Sequence, residues 1–406
     1  MPRPSLVSGD VRRHNLTVIL EHIARTGPSA RSEIADATGL TKGAVTALAT
    51  ALTDTGVLRE SSPVASTRGR PITRLELAAP DIAILVLQLD ADTATALLTT
   101  LAGEELHRHS ASHGRPMGSP DPVIDVLAAV ARSALGAASE LGRRILALPV
   151  VVFAPIDGDP AVVLADTDLD WGIVDVIGGL RARVPDLPAI ASLVSDGWLA
   201  AEAERALLGD TDDLIYLRSN SGIGGAIITG GRFIEGAHGG GGAALGHLPV
   251  VPDGELCACG QHGCLVTVAG PDILLERAGL AEFAHENGLA GALAELSARI
   301  SADEPAAAGA WRSAVPWIAR ALQITSIAID PATIVIGGFW AAHTDSIEDE
   351  FHRNRPTIAR ATPDAPAVPA VVPGQLGADA ALLGAVRAAR TRLLGDPSRL
   401  GSENSL

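Results

Sequence analysis

GHLPVVPDGELCACGQHGC, residues 246–264, contains all three cysteines of a 406-residue chain. Cys257, Cys259 and Cys264 lie close together, Gly260 and Gly263 let the backbone turn tightly between them, and His247 and His262 stand nearby. Three thiolates and one imidazole complete a tetrahedral shell with no open position, which is the structural rather than the catalytic kind of zinc site. On spacing, either histidine serves as the fourth ligand. The alternative is a set of buried or redox-active thiols. An odd count argues against a disulfide framework, as does the reducing cytoplasm expected for a chain with no signal-type N-terminus and no run of about 18 apolar residues.

Composition sets the surroundings of this loop. With 47% apolar and 19% charged residues the chain can bury a large core and divide into two or three domains, and 3% aromatics make that core aliphatic. Charge is unevenly placed. Residues 1–77 hold ten basic and seven acidic side chains, so a total of −16 leaves −19 on the remainder. Only the N-terminal segment is therefore a candidate for binding a polyanion. The one lysine of the chain, Lys42, falls in it.

That segment reads as three helices and a hairpin. Leu16, Ile19, Leu20 and Ile23 mark a first helix that ends near Gly27-Pro28. In SARSEIADATGLTKGAVTALATALTDTGVL, residues 29–58, Ser29 is a candidate cap for a short helix containing Ile34 and Ala35, Gly39 permits a turn, and Thr41 caps the next helix. Val45, Leu48, Ala49 and Leu52 then face inward at helical spacing. This is the pattern of a helix-turn-helix. Its outer face carries Thr41, Lys42, Gly43, Thr46 and Thr50, short side chains that allow close approach to a major groove. A hairpin follows as a wing, with Arg68 and Arg70 placed to reach phosphates or a narrow minor groove. A dimerisation role is the alternative for such a unit.

After Pro80 the texture is that of an α/β domain: strand, turn and strand over residues 82–106, a helix near 121–142, and the buried strand ILALPVVVFAPI. A further strand delivers Asp196 to the start of a helix, and LIYLRSNSGIGGAIITGGRFIEGAHGG forms a Gly-rich hairpin.

Together these pieces resemble the ROK group (repressors, open reading frames and kinases), and specifically its transcriptional regulators, over nearly all of residues 10–394. The resemblance is carried by the helix-turn-helix with its RGRP wing, the Asp196 segment, SGIGG at 221–225, GH at 246–247, CACGQHGC at 257–264, DPATIVIGG at 330–338 and LGADAALLGA at 376–385. It implies an α/β fold: an N-terminal winged helix-turn-helix over 1–77 followed by a two-lobed, actin-like (ribonuclease H-like) body. The first lobe would be 78–200, closed by a helix at 376–394; the second would be 201–375 with the zinc loop; 395–406 would be a flexible tail. It also implies that His247 is the fourth zinc ligand and that a sugar-binding cleft lies between the lobes, with Ser195, Asp196, Asn220 and His247 as effector contacts.

The departures from the kinases point away from catalysis. Asp196 matches their general base and His247 their histidine, but Ser195 replaces an asparagine, and Ala244 and Val266 replace two sugar-binding glutamates. QLDADTATA at 88–96 stands where the kinases carry glycines and a lysine for the phosphates, and has neither. The expectation is a transcriptional regulator, a repressor of carbohydrate-related or other metabolic genes, that binds operator DNA as a homodimer or dimer of dimers. Zinc is structural, no ATP is used, and a small-molecule effector is possible. The competing readings are an effector-independent DNA-binding protein with the body as dimerisation scaffold, and a sugar kinase with an added domain. Trp198, two residues from Asp196, is placed to fill space left by the missing carboxylates.

Overall fold

The apolar residues at 16, 19, 20 and 23 form the buried stripe of a helix, Ser8–Thr26. The computed structural model describes residues 8–64, 72–165, 169–209, 211–236, 244–354 and 368–400. Next come the helices Arg31–Thr38 and Lys42–Asp54, joined at Gly39, and the antiparallel strands Leu58–Val64 and Ile72–Leu77, so the N-terminal unit is a helix-turn-helix with a hairpin. Ser29 differs from its expected role. With Ala30 it pairs against Ile72–Leu77 as a third short strand, and its hydroxyl donates to Gly27 O at 2.9 Å. The cap position falls to Ala30, whose backbone N–H donates to Glu33 Oε2 at 2.9 Å, so a side chain three residues on replaces a capping hydroxyl.

From Ile82 onward the chain builds one topology twice. The first sheet runs in the order Ala191–Ser195, Arg144–Val152, Ile82–Leu89, Thr93–Thr100, Glu105–Ser112. The second runs Ala370–Pro373, Thr333–Gly338, Leu214–Ser219, Ile223–Thr229, Arg232–Phe233. In each, three strands form an antiparallel meander and two later strands join in parallel beside its first member. Glu105–Ser112 was not legible as a strand because it is an edge strand with most side chains in solvent, among them Arg108 and His109. The helix Pro120–Glu140 is long and apolar enough to cross a membrane by length and composition alone, although charged residues interrupt it. Here Val123, Leu127, Val130 and Ala134 pack it against the first sheet, which makes it a core helix.

Each repeat ends in a helix after its fifth strand, and the two helices are exchanged between lobes. Asp196–Leu207 packs on the hairpin of the second sheet, while Ala380–Gly395 returns to cover Ile82–Leu89 and Arg144–Val152 of the first. They cross at Gly384, where a Cβ would lie 2.0 Å from Leu199 O, so the two backbones touch. Beside the crossing Glu204, only 3% exposed, accepts from the backbone N–H groups of Gln375 and Leu376 at 2.9 Å each.

The tail expected from residue 395 is corrected in part. Pro397–Arg399 forms a 3-10 turn and Leu400 is buried, held there by apolar contact with the closing helix and the first helix. Thr17 Oγ1 donates to Gly395 O at 3.4 Å across the same contact. Residues 401–406 lie outside the described residues. One core thus runs from Leu16 and Ile19 of the N-terminal unit through Leu393, Leu394 and Leu400 into the first lobe.

Gly384→Ala is expected to lower thermal stability by about 1–3 kcal/mol, the usual cost of overpacking. Gly136→Ala, whose added Cβ meets nothing within 4 Å in an exposed turn of Pro120–Glu140, is the control and should be neutral or stabilising in the same melt.

Candidate functional sites

The second helix of the helix-turn-helix presents two chemically distinct faces. Val45, Leu48, Ala49 and Leu52 are buried, whereas Thr41, Lys42, Gly43, Thr46 and Thr50 are exposed. Thr41 accepts from Ala44 N at 3.2 Å and caps the helix as expected. Thr46 donates to Lys42 O at 2.8 Å, which lays its hydroxyl flat against the helix. Lys42 makes no ion pair among the described residues, while three nearby arginines are engaged: Arg31 with Glu60, Arg59 with Glu76 and Arg74 with Glu33. The exposed first turn therefore combines a lysine with the positive end of a helix. Arg68 and Arg70, the wing residues expected to contact DNA, lie outside the described residues.

In the second lobe the loop after Leu245–His247 gathers His247, Cys257, Cys259 and Cys264, with all ligand atoms within 4.8 Å of one another. Cys259 Sγ lies 3.6 Å from Cys264 Sγ, and His247 Nδ1 lies 3.5 Å from Cys257 Sγ. Metal–sulfur bonds of about 2.3 Å in a tetrahedron give sulfur–sulfur edges of about 3.8 Å, so the group is compatible with a metal ion. His262 is not part of it; its Nδ1 donates to Gly254 O at 2.9 Å. Gly263 makes the convergence possible: its φ is 74°, and a Cβ would lie 1.9 Å from Val251 O. Burial lowers the pKa of the His247 imidazole, which keeps it neutral with a lone pair to give. Burial also pushes the Cys264 thiol up to about 11, so metal capture would release a proton there.

Between the lobes lies a cleft of about 480 Å³, walled by Gln88–Thr95 of the first lobe, helix Ala281–Ser301 and Phe339 of the second, and the start of the closing helix. Asn220 lines it; Ser195, Asp196 and His247 do not. Asp196 occupies the first turn of its helix and pairs with Arg218, both nearly out of solvent. Arg218 also donates to the Asn220 side-chain oxygen at 2.9 Å, while the Asn220 amide donates to Ser219 O at 2.8 Å. Burial raises the Asp196 carboxyl above its ordinary range, opposed by Arg218 and reinforced by Asp90. Burial works against charge on Arg218, but Asp196 and its neighbours outweigh it and hold the guanidinium protonated. Asp196 is thus satisfied by a partner within the protein and not by solvent. Ser195 is half-buried and makes no capping bond. Trp198 packs with Phe233 at 6.3 Å and does not line the cleft.

The sequence pattern of the ROK family matches residues 86–392, more than half of the chain. The chain belongs to the ROK family. Its N-terminus, residues 15–62, matches the IclR helix-turn-helix domain. It is 26% identical over 275 residues to the DNA-binding transcriptional dual regulator NagC of Escherichia coli, covering 66% of this chain and 65% of NagC. The crystal structure of a ROK family transcriptional regulator, a homologue of the E. coli MLC protein, superposes with a TM-score of 0.71 at 21% identity, covering 96% of this chain and 98% of that one. A ROK family glucokinase from Streptomyces griseus, crystallised with glucose and AMPPNP, superposes with a TM-score of 0.61 at 24% identity. That match takes in 99% of the glucokinase but 76% of this chain. The ROK body is thus common to both, and the remaining length is shared in fold with the regulator.

Two residues escaped the sequence reading. Arg218 is a lone charge in the otherwise apolar strand LIYLRS, a signal that a buried partner must exist. Glu204 gave no such signal, since a glutamate inside a helix normally faces solvent.

Removing Asp196 alone strands a buried cation. Asp196→Ala should cost about 3–5 kcal/mol in urea unfolding, and Asp196→Ala combined with Arg218→Leu should recover most of it. A silent Asp196→Ala would show that the pair bears no structural weight.

Proposed function

We propose that this ROK protein is a transcriptional repressor that reads operator DNA through the exposed face of Lys42–Asp54 and answers to a small molecule held between its lobes. The observation that carries this is the shared core: the first helix of the DNA-reading unit packs on the closing helix Ala380–Gly395, and the other end of that helix, at Asp379 and Leu382, walls the cleft. A ligand that changes lobe closure has one rigid element through which to tilt the helix-turn-helix. The division into a head over 1–77, a first lobe over 78–200 and a second lobe over 201–375 is part of this reading. The N-acetylglucosamine repressor among its relatives makes carbohydrate-related genes the first targets to examine.

On this reading Thr41, Lys42, Gly43 and Thr46, with Arg68 and Arg70 of the wing, contact the duplex; of the expected effector contacts Asn220 lines the cleft, while Ser195, Asp196 and His247 lie outside its lining and are withdrawn from that role. The protein acts as a homodimer in the cytoplasm, where the DNA is, and binds inverted half-sites about one helical turn apart or a multiple of it. Kinase activity is lost, because Asp196 is committed to Arg218 and the phosphate-loop segment contains neither glycine nor lysine. Zinc on His247, Cys257, Cys259 and Cys264 is structural: four protein ligands leave no coordination position for a substrate.

Gel-shift titration against fragments upstream of the protein's own gene tests the reading. Specific binding is expected, and Lys42→Ala should weaken it and reduce the slope of log affinity against log salt by about one. Failure to bind any fragment, together with glucose-dependent ATP consumption, would overturn it.

The metal assignment is checked by elemental analysis. About one zinc per chain is expected, as for a four-ligand structural site, and Cys259→Ala should lose the metal and lower the melting temperature. Unchanged zinc and melting temperature would remove the assignment.

A further inference from the structure

The interlobe cleft has a charge pattern that the regulator reading does not explain. Its lining contains three carboxylates, Asp90, Asp92 and Asp379, and no lysine, arginine or histidine. The guanidinium groups around it are engaged, Arg108 with Asp379 and Glu105, Arg218 with Asp196 and Asn220, and Arg115 with Asp272, while His113, whose pKa burial lowers, donates to Asp90 O at 2.9 Å. Asp379 is accordingly neutralised, but Asp90 and Asp92 have no cation bonded to them among the described residues. Asp92 Oδ2 accepts from Leu289 N at 2.7 Å, a link that joins the two lobes across the cleft. Asp90 Oδ1 accepts from Ala91 N at 2.9 Å.

A separate observation marks the same wall. Gln88, 8% exposed, lines the cleft, and its Oε1 is buried with no hydrogen-bond partner. A buried acceptor left unpaired costs about 1–3 kcal/mol, so this one is suited to a donor brought from outside. The wall therefore sets two carboxylates and the unpaired Gln88 oxygen beside the hydroxyls of Thr93 and Thr95, and it carries negative but no positive charge. Facing it are Leu289, Leu293 and Phe339, an apolar surface.

An anion is excluded from such a wall by charge. A bare metal ion is disfavoured by geometry, because among the described residues only the His/Cys group brings three ligand atoms together. A protonated amine satisfies both halves: its N–H donors meet acceptors on one side and its carbon frame meets the apolar surface on the other. The volume, about 480 Å³, falls in the range of small-molecule sites.

We propose that the interlobe cleft binds a small organic amine, with its charged nitrogen against Gln88, Asp90 and Asp92 and its frame against Leu289, Leu293 and Phe339. This assigns a chemical class to the effector and rests on the regulator reading only for its consequence at DNA. Because Asp92 also holds Leu289, a ligand at this point bears on the contact between the lobes.

The test is calorimetry on the full chain with two matched sets of probes: phenethylamine, 2-phenylethanol and phenylacetate, then glucosamine and glucose. At least one amine should bind about tenfold or more tightly than its neutral partner, with phenylacetate giving no heat. Asp90→Asn and Asp92→Asn should each erase most of that preference while leaving the neutral partner's affinity unchanged. The proposal fails if neither amine binds at millimolar concentration, if the alcohol or the carboxylate binds as well as the amine, or if both Asn variants keep the preference. Should a variant fail to fold, the matched probes on the unaltered protein decide alone. Gel shifts on the same preparation separate the two readings: DNA binding without amine preference retains the regulator and discards the amine, and the opposite result does the reverse.

Discussion

The two lobes of this protein are held to one another by the crossing of Asp196–Leu207 and Ala380–Gly395. Each helix is covalently the end of one lobe and sits on the sheet of the other. Neither lobe can therefore complete its own packing without the other's helix. At the crossing, contact between backbones at Gly384 and Leu199 removes the space that intervening side chains would take, and the Glu204 carboxylate satisfies two backbone donors where the chain turns back. Hydrogen bonds to a charged acceptor inside the protein are stronger than neutral ones, and an unpaired Glu204 charge at that depth would be costly. The cleft lies beside the crossing, and the Asp92–Leu289 hydrogen bond links the lobes across it.

The same economy of buried charge governs the surroundings of Asp196. Asp196 occupies the position of the kinase base in the sequence resemblance, yet its nearest strong partner is a guanidinium from the neighbouring strand. A general base works by accepting a proton at modest cost; a carboxylate paired to a permanent cation gives up that pairing to do so. Pairing also removes the need for solvent or substrate to satisfy Asp196, and Arg218 extends the network to Asn220 at the edge of the cleft.

What could be read from the sequence follows from how each signal arises. Helical periodicity at Leu16, Ile19, Leu20 and Ile23, and again at Val45, Leu48, Ala49 and Leu52, is a local consequence of burying one face, and it located the helix-turn-helix without tertiary information. The Cys/His loop was legible because soft ligands at close spacing have few other uses. The edge strand Glu105–Ser112 was not, since only Leu106, His107 and Ala111 are partly covered and its other side chains are in solvent, too few buried positions to make a pattern. Ser29 looked like a cap, but the strand pairing with Leu75 claimed its backbone first. Glu204 and the burial of Leu400 depend on segments far away in the chain, and spacing within the chain has no means of announcing such partners. Arg218 lies between these cases: the charge announced a partner without saying which.

The route from cleft to DNA follows from those same contacts. The closing helix begins where Asp379 and Leu382 wall the cleft and ends where Leu393 and Leu394 meet the first helix of the DNA-reading unit. A helix of 16 residues transmits displacement because its hydrogen bonds resist bending, and at about 1.5 Å per residue it spans about 24 Å. Its cleft end is tethered by the pair between Asp379 and Arg108 on the first lobe's edge strand, and its far end by apolar contact and the Thr17–Gly395 hydrogen bond. The closing helix thus touches both the cleft lining and the first helix of the DNA-reading unit. Between its two ends, at Gly384, the helix backbone touches that of Leu199, so any displacement of the closing helix is shared with Asp196–Leu207.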